Sequence, residues 1–164
     1  MGGVGTLLYD AVLLASEDVM KEQTGRKAVI VLSDGVDHGS TSPLAEAIRA
    51  AHRADTMAYS ILFADDRFSR GGFGGGGGYP GRAPDGKEVL RQLSGETGAA
   101  FYEVSKKQSI DQVFSLIQEE LRHQYNLGYT PDRTNAAPGF HRIQVSTPNR
   151  DLIVQTRDGY YADH

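Results

Sequence analysis

The sequence predicts an α/β protein with a partial doubly wound, Rossmann-like parallel sheet and a small C-terminal antiparallel β unit. Helical and strand patterns alternate from residue 7 to about residue 122. The first strand pattern, at residues 28–32, is short, unbroken and apolar, which is typical of parallel strands. Strand patterns after residue 123 have no helix between them, which favours antiparallel pairing. Right-handed crossovers lay successive parallel strands side by side. Because the pattern changes near residue 123, we expect one unit at residues 1–123 and a second at 124–164.

The beginning of the chain predicts a helix followed by a buried strand. Between residues 7 and 22, apolar side chains recur at spacings of three and four, namely Leu8, Val12, Ala15 and Val19. This spacing forms one face of a helix, and Gly25 supplies a stop after it. Residues 28–32 are an unbroken and mostly β-branched apolar run. We expect them to form a strand that is covered on both faces.

The next elements continue the alternation of helices and strands. Ser42 followed by Pro43 is typical of a helix cap with proline at the first helical position. Residues 57–63 predict a second buried strand, residues 86–97 a helix and residues 99–104 a third strand. The order of these elements is that of successive β-α-β units.

The pattern changes after one further helix. Ser109 and Gln112 have the spacing of a capping box, which predicts that a helix begins there. Beyond this helix, strand-like segments occupy residues 124–130, 140–147 and 152–156, with proline-containing turns between them. These segments predict the small antiparallel unit.

The composition excludes several classes of function. A chain of 164 residues with 39% hydrophobic and 23% charged residues is typical of a globular protein. The net charge of −4 gives no basic face for nucleic acid, and no apolar run of about 18 residues predicts a membrane span. The absence of cysteine excludes disulfides, thiolate metal sites and thiol nucleophiles. No G-x-S-x-G motif supports a hydrolase triad.

Two glycine-rich segments resemble phosphate-binding loops only superficially. Residues 71–81 contain a G-x-G-x-x-G match, but the connection is too long for a phosphate-binding turn, so a flexible surface loop is the better interpretation. Three arginines lie around this segment: Arg67, Arg70 and Arg82. They could contact an anionic partner, although the simpler interpretation is that they are solvated. Residues 2–6 lack the lysine of a P-loop.

Polar side chains converge on one edge of the predicted sheet. Helices run antiparallel to the strands in an α/β unit, so Thr6, at a helix N-terminus, shares an edge with Asp34, at a strand C-terminus. Further acids follow the first two strands and belong to the same edge: Asp37, Asp65 and Asp66. Hydroxyl and carboxylate oxygens are hard ligands, which suit Mg²⁺, Mn²⁺ or Ca²⁺. Thr6 and Asp34 are therefore the candidate metal ligands.

Each of these residues also has a purely structural interpretation. Thr6 is equally well explained as a helix cap, and the Asp34–Gly35 pair as a turn that ends a strand. Asp10, in the first turn of a helix, complements the helix dipole. The other loop acids are most simply solvated: Asp37, Asp65 and Asp66. The five histidines show no spacing typical of metal ligands.

The segments "GTLLYDAV" and "RKAVIVLSDGVDHGS" and the helix after Ser42 resemble the second half of a von Willebrand factor type A (VWA) domain. The tail segments "LRHQYNLGYTP", "FHRIQVSTP" and "GYYA" are similar to those of the bacterial VWFA-related proteins described chiefly from Acidobacteria. The resemblance implies a metal-ion-dependent adhesion site, in which Thr6 and Asp34 match two ligands of a Mg²⁺ ion. A carboxylate of a partner protein completes the metal's coordination in that family, so protein binding rather than catalysis is implied.

The sequence departs from the family at its N-terminal side. The family's D-x-S-x-S motif and the strand before it have no counterpart before Thr6, so the resemblance implies an N-terminally truncated VWA domain. Because Thr6 and Asp34 supply two of the roughly six oxygens that Mg²⁺ prefers, we expect weak metal binding by this chain alone. We also expect the strand at 28–32 to expose an apolar edge that favours self-association. No secretory signal is visible, while relatives of this kind are often exported.

Three classes of function follow from these observations. The first is a non-enzymatic, adhesion-type module that binds a protein through a divalent cation. The second is Mg²⁺-dependent phosphotransfer or hydrolysis at Asp34 and Asp37, which lacks an accompanying general base or lysine. The third is a structural role in assembly, in which the acids at the sheet edge take no part.

Overall fold

The computed structural model describes residues 5–63, 85–130 and 138–162 of the chain. Several predictions fall outside these residues. They concern the glycine-rich segment 71–81, the acids that follow the second strand and the arginines around the glycines, which are Asp65, Asp66, Arg67, Arg70 and Arg82.

The larger unit alternates helices and strands as predicted. Its first elements are helix α1 (Leu8–Leu14), a π-helical continuation (Ala15–Met20), strand β1 (Lys27–Ser33), helix α2 (Leu44–Arg53) and strand β2 (Thr56–Leu62). They are followed by helix α3 (Gly86–Thr97), strand β3 (Phe101–Glu103) and helix α4 (Ile110–Arg122). The three strands form a parallel sheet in the order β1-β2-β3. The predicted α/β class is therefore confirmed.

Helices cover both faces of the parallel sheet. On one face, Val31, Ala58 and Leu62 pack against apolar side chains of α1, α2 and α3. On the other face, Tyr59 and Ile61 pack against α4 through a second core cluster. Alternate residues of β2 point into the two clusters, which explains why its sequence is largely apolar on both faces, with Thr56 and Ser60 as its buried polar residues.

The predicted cap agrees with the structure at one helix and differs from it at another. Ser109 and Gln112 form a complete capping box at α4, and Gly98 ends α3 with a left-handed backbone at φ 80°. At α2, however, Pro43 occupies the N-cap position itself and no side chain caps the helix. The predicted cap by Ser42 is wrong, because the helix begins at Leu44 and Ser42 lies one residue before the N-cap. The Ser42 N–H donates to the Asp10 carboxylate at 2.9 Å.

Strand β1 lies at an edge of the sheet within the described part of the chain. Its one neighbour there is β2. On the side covered by α4, Ile30 and Leu32 keep 41% and 53% of their surface exposed. The prediction that both faces of this strand are covered is therefore wrong for these two side chains. Within residues 5–63, 85–130 and 138–162, β1 is an edge strand with exposed apolar side chains, as predicted.

The smaller unit is a two-stranded antiparallel sheet of β4 (Gly139–Arg142) and β5 (Gly159–Ala162). The strand predicted at residues 140–147 is confirmed in its first part. The strand predicted at 152–156 is wrong, since β5 lies beyond it, and no strand occupies 124–130. Gly159 lets β4 approach closely, because a Cβ there would meet the Phe140 ring at 2.3 Å. The second strand therefore depends on glycine at this position, which an apolar pattern does not reveal.

The smaller unit packs against the C-terminal ends of α2 and α3. The Asp158 N–H donates to the Glu96 carbonyl, and the buried His52 ring stacks on Phe140 at 5.6 Å. His52 also contacts the Glu96 carbonyl through Nε2 at 2.7 Å. These contacts lie at the N-terminal edge of the parallel strands, so the opposite edge, where Asp34 lies, is left uncovered by this unit. No helix of the described ranges is long and apolar enough to span a membrane.

Candidate functional site

The turn after β1 positions Asp34 at the C-terminal edge of the sheet. The Ser33 hydroxyl accepts the Gly35 N–H at 3.0 Å, and Asp34 Oδ1 accepts the Val36 N–H at 3.0 Å. Gly35 has φ +80°, and a Cβ there would lie 2.0 Å from the carbonyl oxygen of Gly86. Glycine is therefore required at this position, and the turn is held against the beginning of α3.

The segment before α1 contacts the same loop. The Thr6 carbonyl accepts the His38 N–H at 2.9 Å, and a Cβ at Gly5 would lie 2.1 Å from the His38 Cβ. Thr6 and Asp34 are both exposed and both belong to this edge. The structure therefore brings together the two regions that carry the predicted metal ligands. The contact between them is the backbone hydrogen bond from His38, four residues beyond Asp34, to Thr6.

The N-terminus of α1 is capped from a distance by the loop after β1. The Tyr9 N–H donates to Asp37 Oδ1 at 3.3 Å and to the Ser40 hydroxyl at 3.1 Å, and the Asp10 N–H donates to the Ser40 hydroxyl at 3.2 Å. No side chain caps α1 from the N-cap residue, Leu7. Thr6 is therefore not the helix cap, and Asp37 is not the freely solvated acid that the simplest sequence interpretation expects.

The hydrogen bonds to Asp37 change its acidity. Partial burial alone would raise the pKa of Asp37, but the hydrogen bonds from the Ser40 hydroxyl, the Ser40 N–H, the Tyr9 N–H and the Gly39 N–H outweigh it and lower the pKa to about 2. The carboxylate therefore stays ionised throughout the physiological range. Its charge also lies at the positive end of the α1 dipole, where a negative charge is stabilising.

Asp10 links α1 by hydrogen bonds to the segment that precedes α2. Its carboxylate accepts the Thr41 N–H at 2.8 Å and the Ser42 N–H at 2.9 Å. These backbone hydrogen bonds lower the pKa of Asp10. The interpretation of Asp10 as a charge that only complements the helix dipole is incomplete, because its side chain also ties the loop to α1.

Ser40 and Asp85 are two residues at this edge that the sequence interpretation did not single out. Ser40 accepts the N–H groups of α1, and Asp85 is the N-cap of α3, accepting the Lys87 N–H at 3.1 Å. The Asp85–Gly86 pair before an apolar helical pattern is a recognisable cap signal. Ser40 gives no such local signal, because the N–H groups that it caps lie about thirty residues away.

The donors present fit a divalent cation only in part. The Asp34 carboxylate has no arginine or lysine partner among the described residues, and its hydrogen bonds come from Ser33 and Val36. A threonine hydroxyl and a carboxylate are the hard oxygen donors that Mg²⁺ prefers. Within residues 5–63, 85–130 and 138–162, no group of three or more histidine or acidic side chains could hold a metal ion. Thr6 and Asp34 thus offer two of the roughly six oxygens required.

Comparison with known proteins gives no relative for this chain. No family model, no curated protein and no solved structure matches it.

Proposed function

We propose that this chain is a protein-binding module of the VWA type in which Thr6 and Asp34 contribute to a divalent-cation site. The ion is Mg²⁺, or Mn²⁺ or Ca²⁺ in its place, and a carboxylate of the partner protein completes its coordination. The observation that supports the proposal most directly is the Asp34 carboxylate. It is exposed at the sheet edge, without a cationic partner in the described part of the chain, beside the loop that binds the Thr6 backbone.

The local geometry prepares Asp34 for this role. One carboxylate oxygen is occupied by the Val36 N–H, which limits rotation of the side chain, and no described residue donates a hydrogen bond to the other oxygen. Thr6 is held through its carbonyl, which leaves its hydroxyl available as a ligand. A bound Mg²⁺ supplies a positive centre that oxygen ligands surround, and this chain's own residues orient two such oxygens.

The proposal assigns no catalytic role to the pair Asp34 and Asp37. Asp37 accepts four hydrogen bonds that hold the α1 N-terminus and the loop. A carboxylate with this structural role is a poor second ligand for a metal-dependent phosphotransfer or hydrolase site, because metal binding would compete with the helix cap.

Self-association through β1 is a second proposal, supported by a separate observation. Ile30 and Leu32 are half exposed on a strand that has a single neighbour in the described ranges. An unpaired apolar strand edge favours pairing with another chain. In this case the acids at the sheet edge would have no part in assembly.

Paramagnetic broadening by Mn²⁺ tests the cation site, since it detects even weak binding. NMR spectra of the chain titrated with MnCl₂ should show selective broadening of the amides of residues 5–6 and 34–36. Asp34→Asn should abolish this broadening. Asp18→Asn is the matched control, because Asp18 is an exposed acid at the other end of α1. Broadening that is uniform over the chain, or that survives Asp34→Asn, would overturn the proposal.

A further inference from the structure

A cavity of about 410 Å³ opens between the end of α2 and the C-terminal unit. It lies at the N-terminal edge of the parallel strands, opposite the candidate cation site. Among the residues that line it are a histidine, two arginines and three tyrosines: His52, Arg53, Tyr129, Arg157, Tyr160 and Tyr161. The cavity is an open depression of the surface, and its walls combine aromatic rings with a few polar groups, as the walls of ligand sites do.

The aromatic side chains of the cavity are held by one another. The Tyr129 and Tyr160 rings meet edge to face with centroids 6.2 Å apart. The Tyr161 ring lies 6.3 Å from His52 and 5.1 Å from Phe140. These ring contacts give the cavity an aromatic wall against which a planar group can pack.

The two arginines of the cavity differ in whether an acidic side chain pairs with them. Arg157 forms an ion pair with Asp55. Arg53 is exposed on the last turn of α2, and its guanidinium lies 5.5 Å from the Tyr161 ring centroid. Arg53 has no acidic partner in the part of the chain that the structure describes. An arginine stacked on an aromatic ring keeps its planar donors free for a carboxylate or phosphate.

We propose that this cavity binds a ligand in which an anionic group is attached to a planar aromatic ring. The ring packs against Tyr129 and Tyr160, and the anion accepts hydrogen bonds from Arg53. The ligand is either a free aryl phosphate or carboxylate, or a modified aromatic side chain of another protein. This site is independent of the proposed cation site, since the two lie at opposite edges of the sheet.

Phenyl phosphate is a suitable probe, and NMR titration of the full chain measures its binding. Saturable shifts should appear at the amides of residues 53, 129 and 160. Arg53→Gln should weaken binding by about tenfold or more, since a charge-assisted hydrogen bond is lost. Arg49→Gln is the matched control on the same helix, where Arg49 pairs with Glu46 away from the cavity, and it should change affinity by less than about twofold.

The contribution of the ring is tested separately. Inorganic phosphate should bind about tenfold more weakly than phenyl phosphate, and Tyr129→Leu should reduce this difference. Non-saturable shifts, equal effects of Arg53→Gln and Arg49→Gln, or equal affinity for the two phosphates would overturn the proposal. A phosphotyrosine peptide distinguishes the sources. Binding about tenfold tighter than that of phenyl phosphate supports a protein ligand, and equal affinity supports a free small ligand.

Discussion

Removal of the Asp37 carboxylate should destabilise the fold by releasing the N-terminus of α1 from the loop after β1. In Asp37→Ala, the Tyr9 N–H loses one of its two acceptors and the Gly39 and Ser40 N–H groups lose theirs. The Ser40 hydroxyl also loses the acceptor that orients it. The variant therefore weakens both members of the α1 cap with a single change.

The size of the effect follows from the same contacts. Loss of a helix cap costs about 1 kcal/mol, and the loop N–H groups, which are open to water, add a further contribution of up to about 1 kcal/mol. The lowering of the Asp37 pKa from 3.8 to about 2 gives a similar upper limit. That shift corresponds to about 2 kcal/mol before a reduction for solvent screening. We expect a free energy of unfolding that is lower by about 1–2 kcal/mol.

Urea unfolding followed by circular dichroism measures this difference. Asp18→Ala is the control, because Asp18 is exposed and lies at the opposite end of α1. It should change the free energy of unfolding by less than about 0.5 kcal/mol. Equal stability of Asp37→Ala and the unsubstituted chain, with the same dependence on urea, would refute the assigned role of Asp37.

Three further predictions concern acidity, the turn and the sheet edge. Because the pKa of Asp37 is lowered in the fold, its stabilisation is complete above pH 3.8 and is lost as the pH falls towards 2, so the stability gap between the unsubstituted chain and Asp37→Ala should close over that range. Gly35→Ala should cost about 2 kcal/mol or more in urea unfolding, because Gly35 has φ +80° and its Cβ would collide with Gly86. Replacing both Ile30 and Leu32 by lysine should weaken self-association by about tenfold in sedimentation velocity.

Each of these predictions has a clear contrary result. A stability gap that persists unchanged at pH 2 would contradict the assigned pKa of Asp37. For the turn, Gly39→Ala is the control, since Gly39 also has a positive φ but open space around it, and an equal loss in both variants would show that the contact with Gly86 is unimportant. A chain that sediments as a monomer at all concentrations before any substitution would remove the case for association through β1.

Local patterns were sufficient for most of the parallel unit. The largely apolar sequence of β2 and the capping box of Ser109 and Gln112 are signals contained in a few neighbouring residues, and both elements form where those signals predict. Coverage by other elements is not a local property. Ile30 and Leu32 have the same pattern as buried strand residues, yet they keep 41% and 53% of their surface exposed.

The C-terminal unit shows the limit of the same approach. Residues 152–154 are apolar and strand-like, but they are exposed, with Ile153 exposed by 97%. The strand instead forms at β5, where Gly159 permits the close approach of Phe140. Pairing between segments about twenty residues apart depends on such contacts, which no short pattern contains.

The placement of Thr6 and Asp34 at one edge of the sheet was predictable, whereas the hydrogen bonds around them were not. The rule that helix N-termini share an edge with strand C-termini was enough to associate Thr6 with Asp34. The roles of Asp37 and Ser40 depend on hydrogen bonds to Tyr9, about thirty residues earlier in the chain. Sequence spacing cannot separate a solvated loop acid from one that caps a distant helix.

Anomalous scattering from a crystal soaked in Mn²⁺ tests the central proposal most directly. The proposal predicts an anomalous peak about 2.1 Å from an oxygen of Asp34 and from the hydroxyl of Thr6, with water or a carboxylate of a neighbouring molecule in the other positions. The peak should be missing in crystals of Asp34→Asn. A peak elsewhere, or no peak at the Asp34 edge of the sheet at millimolar Mn²⁺, would contradict the proposal.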